Sequence, residues 1–371
     1  MSGDLSEIQI EYGGSCVKYE KLVSLKLRND DVIIISGYGC SLRVKGDALE
    51  VFPGKTHKDQ IQETVMLYRG VHHTRQIVMI GYKGLVTLDA IKWASEQGIS
   101  ILALSALGDL LMALPPESDS DAKLRRAQYQ AEDTGLDMYI AREIIARKTK
   151  EQIAMIYAMG EMEFEHARFR PYRESPLLDR ETIARLEQGL QELAGIRDMD
   201  ELRLLEARLA LVYWKSFMNI PIRWDRGSRK RVPPHWRMIS GRISTNSANH
   251  TAQRATNPFH AVVNYAYAIL QGQCKQALLL QGFDTACGFL HADKLHRDSL
   301  VFDLMEVHRS RVDHIVLDFF KRNVLAKGDF MSTNDGSIKF NPQFSRFIAA
   351  SCRIDQQSID DSAVWLKSCL I

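Results

Sequence analysis

Cysteine is scarce and scattered in this sequence, with six residues in 371 and no CxxC pair. That spacing excludes a disulfide-rich secreted scaffold and disfavours a zinc site built from thiolates. The cysteines are expected to be reduced, mostly buried thiols of a cytoplasmic protein. The sequence also lacks a GxSxG nucleophile motif, a Walker A loop and a paired-cysteine redox motif, so it carries none of these signatures of common enzyme classes.

Long hydrophobic runs are missing as well. The most apolar stretch, residues 99–114, contains Gly108 and Asp109 and is followed by Pro115 and Pro116. It is too short and too interrupted to span a bilayer. The N-terminus has neither the basic segment nor the apolar segment of a secretory signal. These absences predict a soluble, cytoplasmic protein without membrane association.

An excess of charge of one sign is also absent, since the formal net charge is only +2. Any affinity for nucleic acid must therefore come from local clustering. Residues 223–242 hold seven basic residues against one acid, with Trp224, His235 and Trp236 interleaved. This segment is either a solvated loop or one that neutralises phosphates, with the tryptophans supporting it or stacking on bases. The candidate DNA contacts are Arg223, Arg226, Arg229, Lys230, Arg231 and Arg237.

The pattern of the chain changes near residue 117. Before it, short alternating or buried runs predict strands at 23–27, 31–36, 41–44, 76–80 and 99–104, and a helix at 87–97. Residues 115–121, PPESDSD, are typical of a linker, and helical periodicity dominates beyond it. We therefore predict an α+β chain with two domains: a small β-rich domain at residues 1–116 and a larger all-α domain at 117–371.

One carboxylate lies on an apolar helix face. In the helix predicted at 198–214, Glu206 falls within the stripe formed by Leu202, Leu205 and Leu209. A carboxylate on a buried face is costly unless its charge is compensated. A salt bridge to an arginine and a metal ligand are both compatible with that position, and this helix alone favours the salt bridge.

A histidine and two acids follow within residues 257–311. A loop at 282–288 precedes His291, and a helix beginning at Ser299 places Asp303 and Glu306 on one face. With Glu206, they would form a carboxylate-rich ligand set suited to Mg²⁺ or Mn²⁺, which activates phosphodiesters without a protein nucleophile. Spacing alone leaves an exposed acidic face open. It also leaves three rival histidines: His296, His308 and His314.

Several stretches in order resemble the CRISPR-associated endonuclease/integrase family Cas-one, the catalytic subunit of spacer acquisition. NPFHAVVNYAYAIL, GFDTACGFLH and SLVFDLMEVHRSRV match its NALLNYGYALL helix, GLDPxxGxLH turn and SLxxDLMExxRP helix. LRLLEARLALVYW and LRRAQYQA resemble its EGxAAxxYW helix and RxxQ segment. The resemblance extends over roughly residues 20–320.

The resemblance implies a catalytic site and a set of partners. Its metal ligands fall on Glu206, His291 and Glu306, with Asp303 as a further catalytic acid near the site, and Mg²⁺ or Mn²⁺ as cofactor. It implies an N-terminal domain used for dimerisation and a helical catalytic domain. The implied reaction is DNA cleavage and strand transfer, in which the 3′-hydroxyl of a short DNA attacks a phosphodiester of the array. The implied partners are double-stranded DNA with single-stranded ends, a second copy in a homodimer, and a small Cas-two subunit in a heterohexamer.

The sequence departs from the family pattern at three points. His260 stands where the family commonly has Asn, Thr285 replaces the usual Pro, and the interval from Glu206 to His291 looks long. None of these removes a ligand. Two alternatives remain: a casposase-like transposon integrase, and an inactive DNA-binding assembly subunit, although the intact ligand set argues against the latter.

Overall fold

The computed structural model describes residues 31–55, 64–81, 83–117, 121–161, 179–241, 255–334 and 336–371. The strand predicted at 23–27 and the last basic residue of the 223–242 segment lie outside these ranges. The strands are β1 (Val32–Ser36), β2 (Cys40–Lys45), β3 (Ala48–Phe52), β4 (Val65–Tyr68), β5 (Gln76–Ile80), β6 (Gly84–Val86), β7 (Ser100–Leu104), β8 (Leu110–Leu114), β9 (Phe330–Ser332) and β10 (Ile338–Phe340). The α-helices are α1 (Leu88–Glu96), α2 (Ala122–Tyr129), α3 (Ala131–Thr134), α4 (Leu136–Glu161), α5 (Arg180–Glu192), α6 (Met199–Lys215), α7 (Pro258–Leu280), α8 (Ser299–Arg322), α9 (Pro342–Ser351) and α10 (Gln356–Ser368).

The N-terminal part contains two four-stranded sheets and helix α1. The first sheet has the order β1-β5-β7-β8, with β8 antiparallel to the other three strands. The second has the order β4-β3-β2-β6. Helix α1 begins after Thr87, whose hydroxyl accepts from Ala90 N. Its own Trp93 is buried, with 2% exposure. The predicted helix and four predicted strands are confirmed; β3, β4, β6 and β8 were not predicted.

The first sheet belongs to two cores at once. Along β1, Ile33 and Ile35 pack with the second sheet and α1. Val32 and Ile34 lie in the core that the helices share. This alternation follows from the two-residue repeat of a strand. Because a single core continues from the sheet into the helices, the division into two domains at residue 117 stays a prediction.

The region after residue 121 is predominantly helical. Helix α7 starts at Asn257, whose side chain accepts from Phe259 N, and Pro258 occupies its first position. It packs against α8, which also packs against α4. The prediction that this region is all-α is wrong, because β9 and β10 form an antiparallel hairpin. Within the described ranges, no helix is long and apolar enough to cross a membrane.

A buried glutamine joins the first sheet to α7. Gln276 Oε1 accepts hydrogen bonds from Gln76 Nε2 at 3.0 Å and from Ser100 Oγ at 2.8 Å. All three side chains are buried. Buried donors are stable only when they are paired, so this contact helps to fix the sheet against the helices.

Replacing Gln276 should show how much its hydrogen bonds contribute to the stability of the fold. Gln276→Leu removes the acceptor of the buried Gln76 amide and leaves Ser100 Oγ only its longer hydrogen bond to Arg75 O. The free energy of unfolding should therefore fall by about 1–3 kcal/mol. Urea denaturation followed by circular dichroism measures it. Gln271→Leu, at a half-buried position of the same helix, is the control and should cost less. Equal losses in the two variants would contradict the role given to Gln276.

Candidate metal centre

The loop that carries His291 is held by helix α2. Gln128 Nε2 donates to the carbonyl oxygens of Asp284 and Cys287, both at 2.8 Å, and its Oε1 accepts from Asp284 N at 3.1 Å. Arg125 Nε donates to Gly282 O at 3.1 Å. These are the arginine and glutamine of the RxxQ segment. Their contacts set the path of the chain from α7 towards His291.

The start of α8 is fixed to the same loop. Asp298, in the N-cap position of α8, accepts from Thr285 Oγ1 at 2.7 Å and from Lys275 Nζ at 2.8 Å. Thr285 is the residue that replaces the family's usual proline. A hydrogen bond to the N-cap residue of α8 therefore exists where the family sequence has a rigid ring.

Asp303 orients His291. Its carboxylate is fully buried and accepts four hydrogen bonds. Oδ1 accepts from His291 N at 3.0 Å and faces His291 Nδ1 at 2.6 Å, and Oδ2 accepts from the backbone nitrogens of Phe289 and Leu290. A carboxylate on Nδ1 fixes that nitrogen as the donor and leaves Nε2 for a ligand. Asp303 thus positions the histidine rather than presenting a free oxygen.

Gly288 makes this arrangement possible. A Cβ at this position would lie 2.8 Å from Ser299 Cβ, 2.9 Å from His291 O and 3.1 Å from Asp303 Oδ2. These distances are shorter than real side chains tolerate, and the neighbours are the start of α8 and the loop itself. Glycine is therefore needed where the loop crosses α8.

Two glutamates from different helices meet at one buried lysine. Lys148 Nζ, from α4, lies 2.6 Å from Glu306 Oε2 of α8 and also donates to Glu206 Oε1 of α6. The Lys148 and Glu306 side chains are 8% and 4% exposed, and that of Glu206 is 26% exposed. The structure thus brings Glu206 and Glu306 together, as predicted. The salt bridge expected for Glu206 exists, but its cation is a lysine rather than an arginine.

Lys148 was not identified from the sequence, although a signal was present. It lies in a predicted helix four residues after Ile144 and eight before Ile156, both buried. A lysine on an apolar helix stripe requires a buried anion. The same criterion that singled out Glu206 therefore applies to Lys148.

A second cation completes the charge balance. Arg309 Nη1 lies 3.0 Å from Glu306 Oε1, and its guanidinium lies over the Tyr267 ring at 5.2 Å. Burial alone would raise the pKa of Glu306, but Arg309 and Lys148 outweigh it and lower the pKa to about 2. Burial would lower the pKa of Lys148, yet Glu306 and Glu206 raise it above its ordinary value. The centre thus holds two carboxylates and two cations.

His291 lies close enough to this cluster to lower the pKa of Glu306 further. Two of the alternative histidines lie in other environments. Burial lowers the pKa of His308 to about 4, and His296 is exposed in the loop. Glu206, Glu306 and His291 Nε2 offer two carboxylates and one imidazole, a donor set that suits a hard divalent cation.

The ligands do not converge on an open position, however. In the part of the chain that the structure describes, no three His, Cys, Asp or Glu side chains are arranged to hold a metal ion. The Lys148 ammonium lies between the two glutamates. The assignment of Glu206, His291 and Glu306 as metal ligands therefore stays a prediction.

The tryptophans of the basic segment form its support. Trp224 and Trp236 are 4% and 2% exposed, and their rings stack with centroids 6.0 Å apart. Trp224 Nε1 donates to Trp236 O, and Trp236 Nε1 donates to Thr256 O. Of the two roles considered for them, the structure places them in the supporting one, because buried rings cannot stack on bases.

The basic side chains divide into two groups. Arg223 is half-buried and donates to Lys321 O at 2.8 Å, so its guanidinium is part of the packing. The other predicted DNA contacts lie on the surface: Arg226, Arg229, Lys230, Arg231 and Arg237. The segment therefore presents an exposed cationic surface on a rigid aromatic base.

Comparison with known proteins gives the family. Residues 33–351 match the family model described as CRISPR associated protein Cas1. The chain belongs to the Cas1 family. The resemblance seen in the sequence is confirmed. A Cas1 relative, CRISPR-associated endonuclease Cas1 1 of Archaeoglobus fulgidus, is 29% identical over 251 residues, 66% of this chain and 67% of that protein.

Solved structures share the Cas1 fold. A casposase bound to its integration product superimposes with a TM-score of 0.72 at 22% identity, covering 91% of this chain and 90% of the casposase. A chain of a Cas6-RT-Cas1–Cas2 complex gives a TM-score of 0.65 at 17% identity, covering 91% of this chain and 34% of that longer one. At these identities the likeness concerns the fold.

Asp298 gives a pH-dependent test of the link between loop and helix in this Cas1 chain. Burial alone would raise the pKa of Asp298, but the hydrogen bonds from Lys275 and Thr285 outweigh burial, so the pKa lies below its ordinary value. Because the pKa of Asp298 is lower in the folded than in the unfolded chain, its ionised carboxylate stabilises the fold at pH values above the unfolded-state pKa, about 3.9. This stabilisation is lost as the pH falls through the folded-state pKa. Asp298→Asn should therefore be less stable than wild type at pH 7, and the gap should narrow below about pH 4.

Urea denaturation at a series of pH values measures this gap. The control is Asp318→Asn, which removes a surface ion pair with Arg322 on the same helix and should have a small effect throughout. A gap for Asp298→Asn that stays constant from pH 7 to pH 3 would exclude the proposed ionic contact.

Proposed function

We propose that this chain is a metal-dependent DNA endonuclease and integrase that inserts short DNA fragments into a CRISPR array. Membership of the Cas1 family supports this, as does the word endonuclease in the name of the Archaeoglobus relative. The observation that carries it is the meeting of Glu206 and Glu306 at one cation position beside an oriented His291. Two carboxylates and one imidazole are donor types that suit a hard divalent cation.

Each residue of the centre has a role in this proposal. Glu206, His291 and Glu306 would hold Mg²⁺ or Mn²⁺, which when bound polarises a phosphodiester and stabilises the leaving oxygen. Asp303 keeps His291 Nε2 directed at the site. Arg309 offsets the charge of Glu306. The attacking 3′-hydroxyl belongs to the DNA fragment, so no side-chain nucleophile takes part.

The proposal extends to partners. We infer a homodimer formed through the N-terminal β-rich region, residues 1–116, and a small Cas2 subunit as its partner in a heterohexamer. One structural neighbour comes from a complex that contains Cas1 and Cas2, which supports a Cas2 partner for this chain. The substrate would be double-stranded DNA with single-stranded ends, and the exposed arginines of the basic segment would contact its backbone.

A casposase-like transposon integrase is the alternative, because a casposase with its integration product is a full-length structural match. The two functions differ in the target. Integration into a CRISPR repeat would support the leading proposal, whereas preference for transposon ends would support the alternative.

Alanine substitutions test the centre. Glu206→Ala, His291→Ala and Glu306→Ala should each reduce Mn²⁺-dependent joining of labelled DNA by at least about 100-fold, because each removes a ligand. Asp303→Asn should cost about 10–100-fold, as loss of an orienting partner does. Glu201→Ala, exposed on the same helix as Glu206, should retain wild-type activity. Undiminished joining by all three ligand variants would exclude this centre.

Salt dependence tests the basic segment. In Arg226→Gln/Lys230→Gln, two exposed charges are lost, so the slope of log affinity against log salt should fall by up to about 2 units. Fluorescence anisotropy with labelled duplex measures it. The control is Arg185→Gln, which lies on α5 and pairs with Glu181. If both proteins keep the wild-type slope, the segment is a solvated loop without DNA contact.

A further inference from the structure

The position between Glu206 and Glu306 is occupied by a side chain of the protein. The Lys148 ammonium contacts both carboxylates, and its side chain is 8% exposed. Glu206 and Glu306 are the two carboxylates that the proposed function assigns to the metal. A monovalent cation that belongs to the chain thus lies between the residues that would bind a divalent one.

Charge balance opposes the presence of both cations. Lys148 and Arg309 together already neutralise Glu206 and Glu306. A divalent ion would bring two further positive charges into a largely buried space that already holds the Lys148 ammonium and the Arg309 guanidinium, and like charges repel strongly there. Departure of one resident cation reduces that repulsion, and it also frees the carboxylate oxygens that the ammonium contacts.

Lys148 and Arg309 are not equally able to leave. Arg309 contacts Glu306 through a planar guanidinium that also covers the Tyr267 ring, an arrangement that fixes its orientation. Lys148 carries a compact ammonium on a four-carbon stem with rotatable bonds. Its contact with Glu206 lies on the more exposed side of the cluster, since the Glu206 side chain is 26% exposed. Rotation of the stem towards that side would clear the site.

We propose that Lys148 is a resident cation that occupies the metal position between Glu206 and Glu306 in the metal-free chain and leaves it when a divalent ion binds. The inference rests on the proposed function, because it takes these glutamates as metal ligands. It explains why the described residues contain no preformed three-ligand group. Lys148 then sets the metal affinity of the centre through competition.

Lys148 could either compete with the metal or hold the metal ligands in place, and these two roles predict opposite changes in Mn²⁺ affinity for Lys148→Met. If the ammonium competes with the metal, the variant should bind Mn²⁺ more tightly than wild type, by about tenfold or more. Without metal, its melting temperature should be lower, because two carboxylates lose a shared cation, and Mn²⁺ should raise that temperature by more than in wild type. If Lys148 instead holds the ligands in place, the variant binds Mn²⁺ more weakly, and the proposal is overturned.

Isothermal titration with MnCl₂ and thermal melting measure these quantities on the full-length chain. Lys150→Met, exposed on the same helix, is the control and should match wild type. Mn²⁺ binding by wild type with equal affinity in Lys148→Met would overturn the role of Lys148 and leave the proposed function standing. Absence of Mn²⁺ binding in wild type and in Lys148→Met would overturn the metal centre itself.

A second measurement uses the wild-type chain and does not depend on folding of the variant. Acetylation by a soluble reagent, followed by mass spectrometry, reports the accessibility of each lysine. Addition of Mn²⁺ should increase acetylation of Lys148 severalfold, with exposed Lys150 as the internal reference. Unchanged acetylation of Lys148 at a Mn²⁺ concentration that saturates the protein would overturn the displacement.

Discussion

Two carboxylates that lie side by side in a largely buried space repel each other, and the packing around the centre has to compensate that repulsion. Two unit charges 4 Å apart at an effective dielectric constant of 20 interact with about 4 kcal/mol, which is a large part of the stability of a typical domain. Lys148 and Arg309 turn this repulsion into attraction. Helices α4, α6 and α8 each contribute charges to the cluster, so their relative positions are fixed by electrostatics as well as by apolar contact.

The histidine side of the centre is built by hydrogen bonds rather than ion pairs. Asp303 accepts hydrogen bonds from three backbone nitrogens and contacts the His291 ring. Gln128 holds the preceding turn through three hydrogen bonds. The result is a loop with little freedom at the position of His291. Rigid support of this kind is what a metal ligand requires, because a misplaced imidazole binds poorly.

Sequence patterns predicted those parts of the molecule that depend on local spacing. The sequence predicted the buried runs of β1, β5 and β7, the cap of α7, and the shared helix face of Asp303 and Glu306. The strand β3 was missed because it is short and carries Glu50 among apolar residues. The strand β4 was missed because it has only four residues and is largely exposed. Lys148 was missed because its partners lie 58 and 158 positions away along the chain. The ranking of Asp303 behind Glu306 came from the family resemblance, and the hydrogen bonds now give it a physical reason.

The wide separation of Lys148, Glu206, His291 and Glu306 along the chain has a consequence for folding. Contacts between distant residues form late, because the entropy of closing the intervening loops opposes them. A partly folded chain therefore lacks the assembled centre. During synthesis Lys148 also emerges before either glutamate, so the compensating ammonium is already present when the two acids come together. The side chains of the centre therefore come together only when the fold is complete.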